Sequence, residues 1–244
     1  MIFNILTVLP DAFPGYLGLS NAGKALTNGL WQLNIINIRD FATDNYKTVD
    51  DTPYAGGSGM VLKCDVVGRA IESIPNWKDS KLVYMSPRGL VFNQQMAHDF
   101  AESFSGNDTN ETQKIITILC GHFEGVDQRI LDYYGFAEIS IGDYVLSGGE
   151  PAAIVFIDSI LRNIDGVLGN LDSIYEESFE YAIDGMLEYP HYTRPAIWKN
   201  LLVPEVLTSG NHAEIKAWRI SESQKITSKN RPDLLLKRMR KIDT

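Results

Sequence analysis

The stretch that most constrains the fold of this chain is 140–153, which reads Ser-Ile-Gly-Asp-Tyr-Val-Leu-Ser-Gly-Gly-Glu-Pro-Ala-Ala. It follows a short apolar run and precedes a long apolar segment. Its glycines permit tight bends and close approach of another group, and a proline fits the first turn of a helix. A strand that passes through a glycine-rich bend into a helix usually carries a ligand at its carboxyl end. The stretch therefore predicts a strand, a binding loop and a helix in succession.

Two further apolar runs upstream end in the same way. The run 115–120 leads into Gly-His-Phe-Glu-Gly, and the run 82–85 leads into Ser-Pro-Arg-Gly. Predicted strands alternate with segments of helical periodicity, and this rhythm indicates an α/β fold: a mostly parallel sheet with helices on both faces. The predicted strands are 2–9, 31–38, 82–85, 115–120 and 137–141. Because parallel strands end at one edge of a sheet, the glycine-marked ends after 115–120 and 137–141 are expected to form two walls of one pocket.

Length and periodicity together predict the domain organisation. A chain of 244 residues fits one large domain, or one domain with a small appendage. Residues 1–164 are predicted to form the α/β domain. In 165–180 the periodicity fails and acidic residues accumulate, which predicts a flexible linker, and 181–244 are predicted to form a small all-helical domain.

The charge of the chain is divided unevenly. Residues 1–210 hold 13 Lys/Arg and 27 Asp/Glu, whereas residues 211–244 hold 9 and 4, a balance of +5. A basic end on an acidic body is expected where one segment meets a polyanion such as nucleic acid. A solvated amphipathic helix pair with incidental charge is the alternative interpretation.

Several classes of protein are not supported by the sequence. No apolar run approaches the roughly 20 residues that span a bilayer, and the amino terminus lacks the marks of a signal peptide, so a cytoplasmic protein without membrane contact is expected. Cys64 and Cys120 lack metal-ligand spacing and are interpreted as reduced, buried thiols. The four histidines are scattered, so no metal site is predicted.

The segment 152–164 is apolar on nearly every side, which predicts a buried helix that a second subunit could cover. Arg162 lies on it, and a buried guanidinium must be paired or must face a polar pocket. A structural ion pair with Asp158, one turn earlier, and a functional role are both compatible with the sequence.

Six motifs occur in a fixed order along the whole chain. They are Pro-Tyr-Ala-Gly-Gly-Ser-Gly-Met at 53–60, Tyr-Met-Ser-Pro-Arg-Gly at 84–89, Cys-Gly-His-Phe-Glu-Gly-Val-Asp-Gln-Arg at 120–129, the stretch from 140, Pro-His-Tyr-Thr-Arg-Pro at 190–195 and Val-Pro-Glu-Val-Leu-Thr-Ser-Gly-Asn-His at 203–212. In this order they closely resemble the bacterial tRNA (guanine-N1)-methyltransferases, the TrmD family of knotted methyltransferases.

The resemblance implies an enzyme that transfers a methyl group from S-adenosylmethionine to N1 of the guanine at tRNA position 37, next to the anticodon. It implies a homodimer with active sites between subunits, a deep trefoil knot in the α/β domain and a helical domain that binds tRNA. It leaves a requirement for Mg²⁺ open. Two alternatives remain: a related knotted methyltransferase with another RNA target, and a non-catalytic RNA-binding module.

The resemblance also assigns site residues. It implies that Glu177 is the general base and that Arg162 stabilises the guanine oxygen. It also implies that the methyl-donor pocket is formed by Met85, Ser86, Pro87, Gly121, Glu124, Ser140, Ile141, Gly142, Asp143, Tyr144, Val145, Leu146, Gly148 and Gly149.

Three positions depart from the family pattern. Ala55 stands where a glycine is usual, His122 where an arginine is usual, and Glu177 where an aspartate is usual. The resemblance implies an RNA contact at the position of His122, and it places the base at Glu177, whose side chain is one methylene longer than that of aspartate.

Overall fold

The computed structural model of the protein describes residues 1–103, 115–168 and 175–236. The chain forms two compact units, Met1–Gly169 and Asn170–Thr244. Of the predicted linker 165–180, residues 169–174 lie outside the described residues, and so do residues 237–244 of the predicted carboxyl-terminal domain.

The strands and helices alternate along the first unit and continue into the second. The strands are β1 Ile2–Thr7, β2 Gln32–Asn37, β3 Asp50–Asp51, β4 Val61–Leu62, β5 Lys81–Val91, β6 Ile115–Cys120, β7 Ala137–Ser140, β8 Ile197–Trp198 and β9 Leu201–Leu202. The helices are α1 Ser20–Thr27, α2 Cys64–Glu72, α3 Gln94–Glu102, α4 Gln128–Tyr134, α5 Glu150–Leu161 and α6 His212–Asn230.

Five strands of the first unit form one parallel sheet in the order β2-β1-β6-β5-β7. This confirms the predicted α/β class with a mostly parallel sheet. Strand β6 lies between β1 and β5, although β5 precedes it in the chain. All six residues of β6 are buried, as expected for the central strand of a sheet that is covered on both faces.

Apolar side chains form one hydrophobic cluster on each face of the sheet, because successive strand residues point to opposite faces. In β5, Val83 and Met85 contribute to one cluster, whereas Leu82 and Tyr84 contribute to the other. Helices α1, α3 and α5 contribute to the first cluster, and α2 and α4 contribute to the second. Helices therefore cover both faces, as predicted.

A row of polar side chains crosses the middle of the sheet. Asn4 accepts a hydrogen bond from Asn34 at 2.9 Å and donates to the Thr117 hydroxyl at 3.2 Å. Ser80 donates to the same Thr117 oxygen at 2.9 Å. Asn4 and Thr117 are buried, so these bonds satisfy polar groups that would otherwise be costly. Asn4 lies opposite Asn34 and Thr117 in the observed pairing of β2, β1 and β6. A shift in this register would separate the hydrogen-bond partners.

Local sequence signals set several element boundaries. The Asn93 side chain accepts from the Met96 N–H and caps α3, and Gly135 ends α4 at a left-handed φ of 74°. The prediction of a helix over 152–164 is wrong at both ends, since α5 covers Glu150–Leu161. The helix starts earlier because Pro151, which lacks an N–H, is accepted in its first turn.

The described part of the second unit contains α6, a helical stretch at 232–236 and the β8–β9 pair. Helices alone were expected here, but β8 and β9 form an antiparallel ribbon of two residues each. Lys199 and Asn200 connect them, both with positive φ, which is the backbone that a two-residue hairpin turn requires. Among the described residues of the whole chain, no helix is both long and apolar enough to cross a membrane.

Candidate functional site

The sheet order brings the three predicted strand ends side by side. Strands β6, β5 and β7 are neighbours, and Met85 of β5 pairs with Cys120 of β6 and with Ile139 of β7. The segments 121–124 and 140–149 lead out of the ends of β6 and β7, and segment 85–87 lies beside them inside β5, where the pairing with β7 is interrupted between Met85 and Leu90. The predicted strand end at Met85 is therefore wrong, because β5 continues through this irregularity to Val91. We call this place the strand-end edge. All fourteen residues assigned to the donor pocket lie on these three segments.

Two glycine backbones meet at the strand-end edge. The Gly149 N–H donates to the Gly121 carbonyl oxygen at 2.8 Å. A Cβ on Gly149 would lie 2.9 Å from the Cys120 Cα and from the Gly121 nitrogen. A Cβ on Gly121 would lie 2.6 Å from the Tyr84 hydroxyl oxygen, so the Tyr84 side chain would have to move. The start of α5 is therefore fixed directly against the end of β6.

The loop after β6 is also paired with the segment before α2. The Glu124 N–H donates to the Met60 carbonyl at 2.9 Å, and the Leu62 N–H donates to the Gly125 carbonyl at 3.0 Å. Glu124 itself is exposed. Gly59 lies against its carboxylate, since a Cβ there would come within 2.5 Å of Oε1. These contacts place an exposed carboxylate at the strand-end edge.

The loop after β7 presents apolar side chains to solvent. Ser140 Oγ accepts from the Gly142 N–H at 3.2 Å and shapes the first bend. Beyond this bend Tyr144, Val145 and Leu146 are exposed, Val145 by 86%. Exposed apolar side chains beside free backbone turns can cover an apolar ring or a second protein surface.

One buried pair at this edge, Thr7 and Glu150, is not indicated by the sequence. Thr7, the last residue of β1, donates from Oγ1 to Glu150 Oε1 at 2.7 Å. Glu150 is 4% exposed and lies in the first turn of α5, where a carboxylate is favoured by the helix dipole. From the sequence, Glu150 can be recognised only as an acidic residue near the start of a predicted helix. Its partner Thr7 cannot be identified, because it lies 143 positions away.

Cys120 is inert at this edge. The residue is fully buried, and burial raises the pKa of its thiol, with the nearby charge of Glu150 as a second cause. A thiol must lose its proton to act as a nucleophile, so Cys120 is a core side chain as predicted. Cys64, by contrast, is only half-buried.

Arg162 lies at the opposite end of α5 from the strand-end edge. It directly follows the last helical residue. Burial raises the pKa of Asp158, one turn earlier, and the charge of Arg162 opposes that shift. The twelve residues of α5 span roughly 18 Å at 1.5 Å per residue. Within one subunit, Gly149 and Arg162 are therefore separated by the length of the helix.

Helix α5 is covered mostly by its own subunit. Seven of its twelve residues are buried, and Val155 is the most exposed of its apolar residues at 46%. The apolar character of the helix is thus explained largely by packing within the subunit, and it does not by itself require a partner.

Glu177 belongs to the second unit and is half-buried. Its carbonyl accepts from the Glu180 N–H at 3.2 Å. The neighbouring Glu176 accepts from Tyr189 Oη at 2.7 Å and from Arg219 Nη1 at 3.1 Å. The acidic run 176–180 is therefore part of a hydrogen-bonded structure within that unit.

The comparisons with known proteins agree with this organisation. The family model for tRNA (Guanine-1)-methyltransferase TrmD matches residues 1–237. The chain belongs to the TrmD family. Curated relatives named tRNA (guanine-N(1)-)-methyltransferase include those of Anaplasma marginale strain Florida, 53% identical over 96% of this chain and 94% of the relative, and of Wolbachia pipientis wMel, 53% identical over 96% of both. That of Anaplasma phagocytophilum strain HZ is also 53% identical, over 96% of both chains.

The structure shows the surroundings of Ala55 and His122, two positions where the resemblance implies a different residue. Ala55 adopts φ +70°, a left-handed backbone that glycine tolerates and alanine resists. His122 pairs with Gly148 through a backbone bridge, and its buried Nδ1 has no hydrogen-bond partner among the described residues. Ala55 therefore occupies a backbone conformation that is strained for alanine, and the His122 ring lies against Gly148.

A metal centre is not indicated in the part of this TrmD chain that the structure describes. No three histidine, cysteine, aspartate or glutamate side chains come together there in a way that could hold an ion.

The contact between Gly149 and Gly121 yields a prediction. Gly149→Ala places a methyl group 2.9 Å from backbone atoms that cannot move aside, so α5 and the 140–149 loop must shift. We expect loss of S-adenosylmethionine binding, measured by calorimetric titration, together with a lower melting temperature.

The matched control is Gly29→Ala, which adds the same methyl group where no atom lies within 4 Å. Its positive φ of +74° costs about 1 kcal/mol of stability, but donor affinity should remain that of the wild type. Unchanged affinity in Gly149→Ala would contradict the role of the glycine contact.

Proposed function

We propose that this protein transfers a methyl group from S-adenosylmethionine to N1 of guanine in tRNA, at position 37 next to the anticodon. The observation that carries the proposal is the match of residues 1–237 to the TrmD family, on a chain whose motif-bearing segments on β5 and after β6 and β7 lie on neighbouring strands of the sheet. In this proposal the enzyme acts in the cytoplasm, where tRNA is available.

The strand-end edge fits the methyl donor. Backbone groups on tight turns can hydrogen-bond an adenine edge, and the exposed Leu146 with the half-buried Ile141 can cover its ring. Gly121 and Gly149 keep side chains away from this surface, and Glu124 supplies a carboxylate beside it. S-adenosylmethionine supplies an electrophilic methyl group when bound.

The residues of the chain must supply proton transfer and charge stabilisation. Guanine N1 carries a proton and is a poor nucleophile until a general base removes it. Loss of that proton moves negative charge onto O6, which a positioned guanidinium stabilises. We assign the first role to Glu177 and the second to Arg162. The protein must also align N1 with the methyl group, which lowers the entropic part of the barrier.

The length of α5 supports a site that two subunits share. Arg162 and the strand-end edge of one subunit are separated by roughly 18 Å along the helix, which is longer than an arginine side chain. In a homodimer, the Arg162 end of one subunit can complete the edge of its partner. The exposed apolar side chains Leu90, Val91 and Val145 supply surface for such an interface.

The course of the backbone supports a knot in the first unit. Strand β6 lies between β1 and β5, and the loop after it pairs with Met60 and Leu62. The chain then returns after β7, where Gly149 meets Gly121. A crystal structure that traces the crossings of these segments tests the knot directly.

The tRNA is proposed to contact the basic carboxyl-terminal segment. Arg219, Lys225 and Arg231 of this segment form ion pairs within the second unit. Four further basic residues, Lys237, Arg238, Arg240 and Lys241, lie outside the described residues.

Product analysis tests the proposed reaction. The protein is incubated with labelled S-adenosylmethionine and tRNA transcripts that carry guanine at position 37, and the nucleosides are identified after digestion. We expect N1-methylguanosine, and no label in a transcript with adenine at that position. Label at another site would identify a related RNA methyltransferase, and tRNA binding without label would identify a binding module.

The base assignment predicts the effect of Glu177→Gln. This change keeps the shape of the side chain and removes its basicity, so the single-turnover methylation rate should fall by about 10²–10⁴-fold. Donor affinity should hardly change. Glu214→Gln, at an exposed position of the same unit outside the six motifs, is the matched control and should retain the wild-type rate. A wild-type rate for Glu177→Gln would remove the assignment.

The shared site predicts complementation between two inactive variants. Glu124→Ala alters the strand-end edge and Arg162→Ala alters the far end of α5, so each homodimer should be inactive. A heterodimer of the two has one site with both defects and one intact site. Co-expressed and tag-purified heterodimers should therefore regain about half of the wild-type activity. No recovery would mean that both residues serve a site within one subunit.

A further inference from the structure

The strongest unassigned feature of the second unit is a cluster formed by Glu176, Tyr189 and Arg219. Tyr189 Oη and Arg219 Nη1 both donate to Glu176 Oε2, at 2.7 and 3.1 Å. The Arg219 guanidinium also lies over the Tyr189 ring, 4.7 Å from its centroid, which is the geometry of a cation–π contact. Each member thus contacts both of the others.

The cluster joins distant parts of the sequence. Glu176 and Tyr189 flank the turns of 176–189, and Arg219 lies on α6, 43 positions after Glu176. Tyr189 is 8% exposed, and its pKa is raised to about 12 by burial and by its hydrogen bond to Glu176. The hydroxyl therefore keeps its proton, and remains a donor, throughout the pH range in which enzymes are assayed.

A second contact docks the same turns on the same face of α6. The Thr227 hydroxyl accepts from the Leu187 N–H at 2.9 Å and donates to the Ser223 carbonyl at 2.6 Å. Residues 219, 223 and 227 are spaced by four and lie on one side of the helix. Ser223 and Thr227 are almost completely buried. Helix α6 thus supports residues 176–189 at two points, about two turns apart.

Glu177 lies between fixed neighbours in this arrangement. On one side, Glu176 is held by the cluster. On the other side, the Ser178 hydroxyl accepts from the Glu188 N–H at 3.0 Å, and the Phe179 N–H donates to the Met186 carbonyl at 2.8 Å. The backbone of Glu177 is therefore fixed from both directions within the second unit.

We infer that Glu176, Tyr189 and Arg219 are positioning residues, which hold the backbone of Glu177 so that its carboxylate reaches the guanine N1 proton. This inference rests on the proposed role of Glu177 as the general base. Proton transfer depends steeply on distance, and an error of about 1 Å in placement costs on the order of 10²-fold in rate. A residue that carries a base needs such support, since catalytic groups work only when neighbouring contacts fix them.

Tyr189→Phe tests the inference with the smallest change. It removes the hydroxyl that donates to Glu176 and keeps the ring under Arg219, so the fold should persist, as checked by thermal unfolding. We expect the single-turnover methylation rate to fall by about 10-fold or more, with unchanged dissociation constants for S-adenosylmethionine and tRNA. Tyr181→Phe, whose side chain is 87% exposed, is the matched control and should keep the wild-type rate.

A double-mutant cycle identifies the group through which Tyr189 acts. In a Glu177→Gln background there is no base to position, so adding Tyr189→Phe should change the rate by less than about twofold. An equal loss in both backgrounds would overturn the inference, because the hydroxyl would then act independently of Glu177.

Substitution of Glu176 tests the positioning role independently of Tyr189→Phe. Glu176→Ala removes the acceptor of both hydrogen bonds and should lower the rate at least as far as Tyr189→Phe. Glu176→Gln keeps an acceptor oxygen and should recover part of that loss. Equal rates in the two Glu176 variants would contradict the positioning role.

The outcomes separate this inference from the base assignment. If Glu177→Gln is slow but Tyr189→Phe is as fast as the wild type, the base assignment stands and the positioning role is wrong. If Glu177→Gln itself is as fast as the wild type, the base assignment fails first, and the positioning role fails with it.

Discussion

The contact between the backbones of Gly121 and Gly149 is the constraint on which the candidate site depends. It joins the end of the central strand β6 to the first turn of α5 through one hydrogen bond of 2.8 Å, at a spacing that no side chain could share. Because β6 is the central strand and α5 contributes six buried residues to one hydrophobic cluster, this contact fixes the loop 140–149 relative to the sheet. Glycine at 149 is a steric requirement of that geometry, because the atoms that a Cβ would meet there belong to the backbone.

The rest of the first unit supports this edge from inside the sheet. Thr7 holds the Glu150 carboxylate in the first turn of α5, and the polar row through Asn4 and Thr117 fixes the register of β2, β1 and β6. A register slip would separate these buried polar groups from their partners, at a cost of about 1–3 kcal/mol each. The strand ends are therefore held in place by buried hydrogen bonds as well as by apolar packing.

The two units contribute different kinds of group to the proposed chemistry. The first unit presents turns, apolar side chains and the exposed Glu124 at the strand-end edge, all suited to holding a donor. The second unit carries Glu177 on turns that α6 supports. Where the sequence indicates a loose acidic linker around Glu177, the described residues 175–180 are hydrogen-bonded to residues 185–189 and to Arg219. Acidic composition alone does not distinguish a solvated run from one in which a single carboxylate is held by an arginine and a tyrosine.

The sequence by itself determined the α/β class, the bounds of β6 and membership of the TrmD family. These follow from an apolar run of six residues, from the alternation of strand and helix signals, and from motifs in a fixed order. Only the tertiary structure decided that β6 lies between β1 and β5, that Thr7 meets Glu150, and that Tyr189 and Arg219 converge on Glu176. Such contacts join residues up to 143 positions apart. Their choice depends on how all the elements pack at once, which no local pattern records.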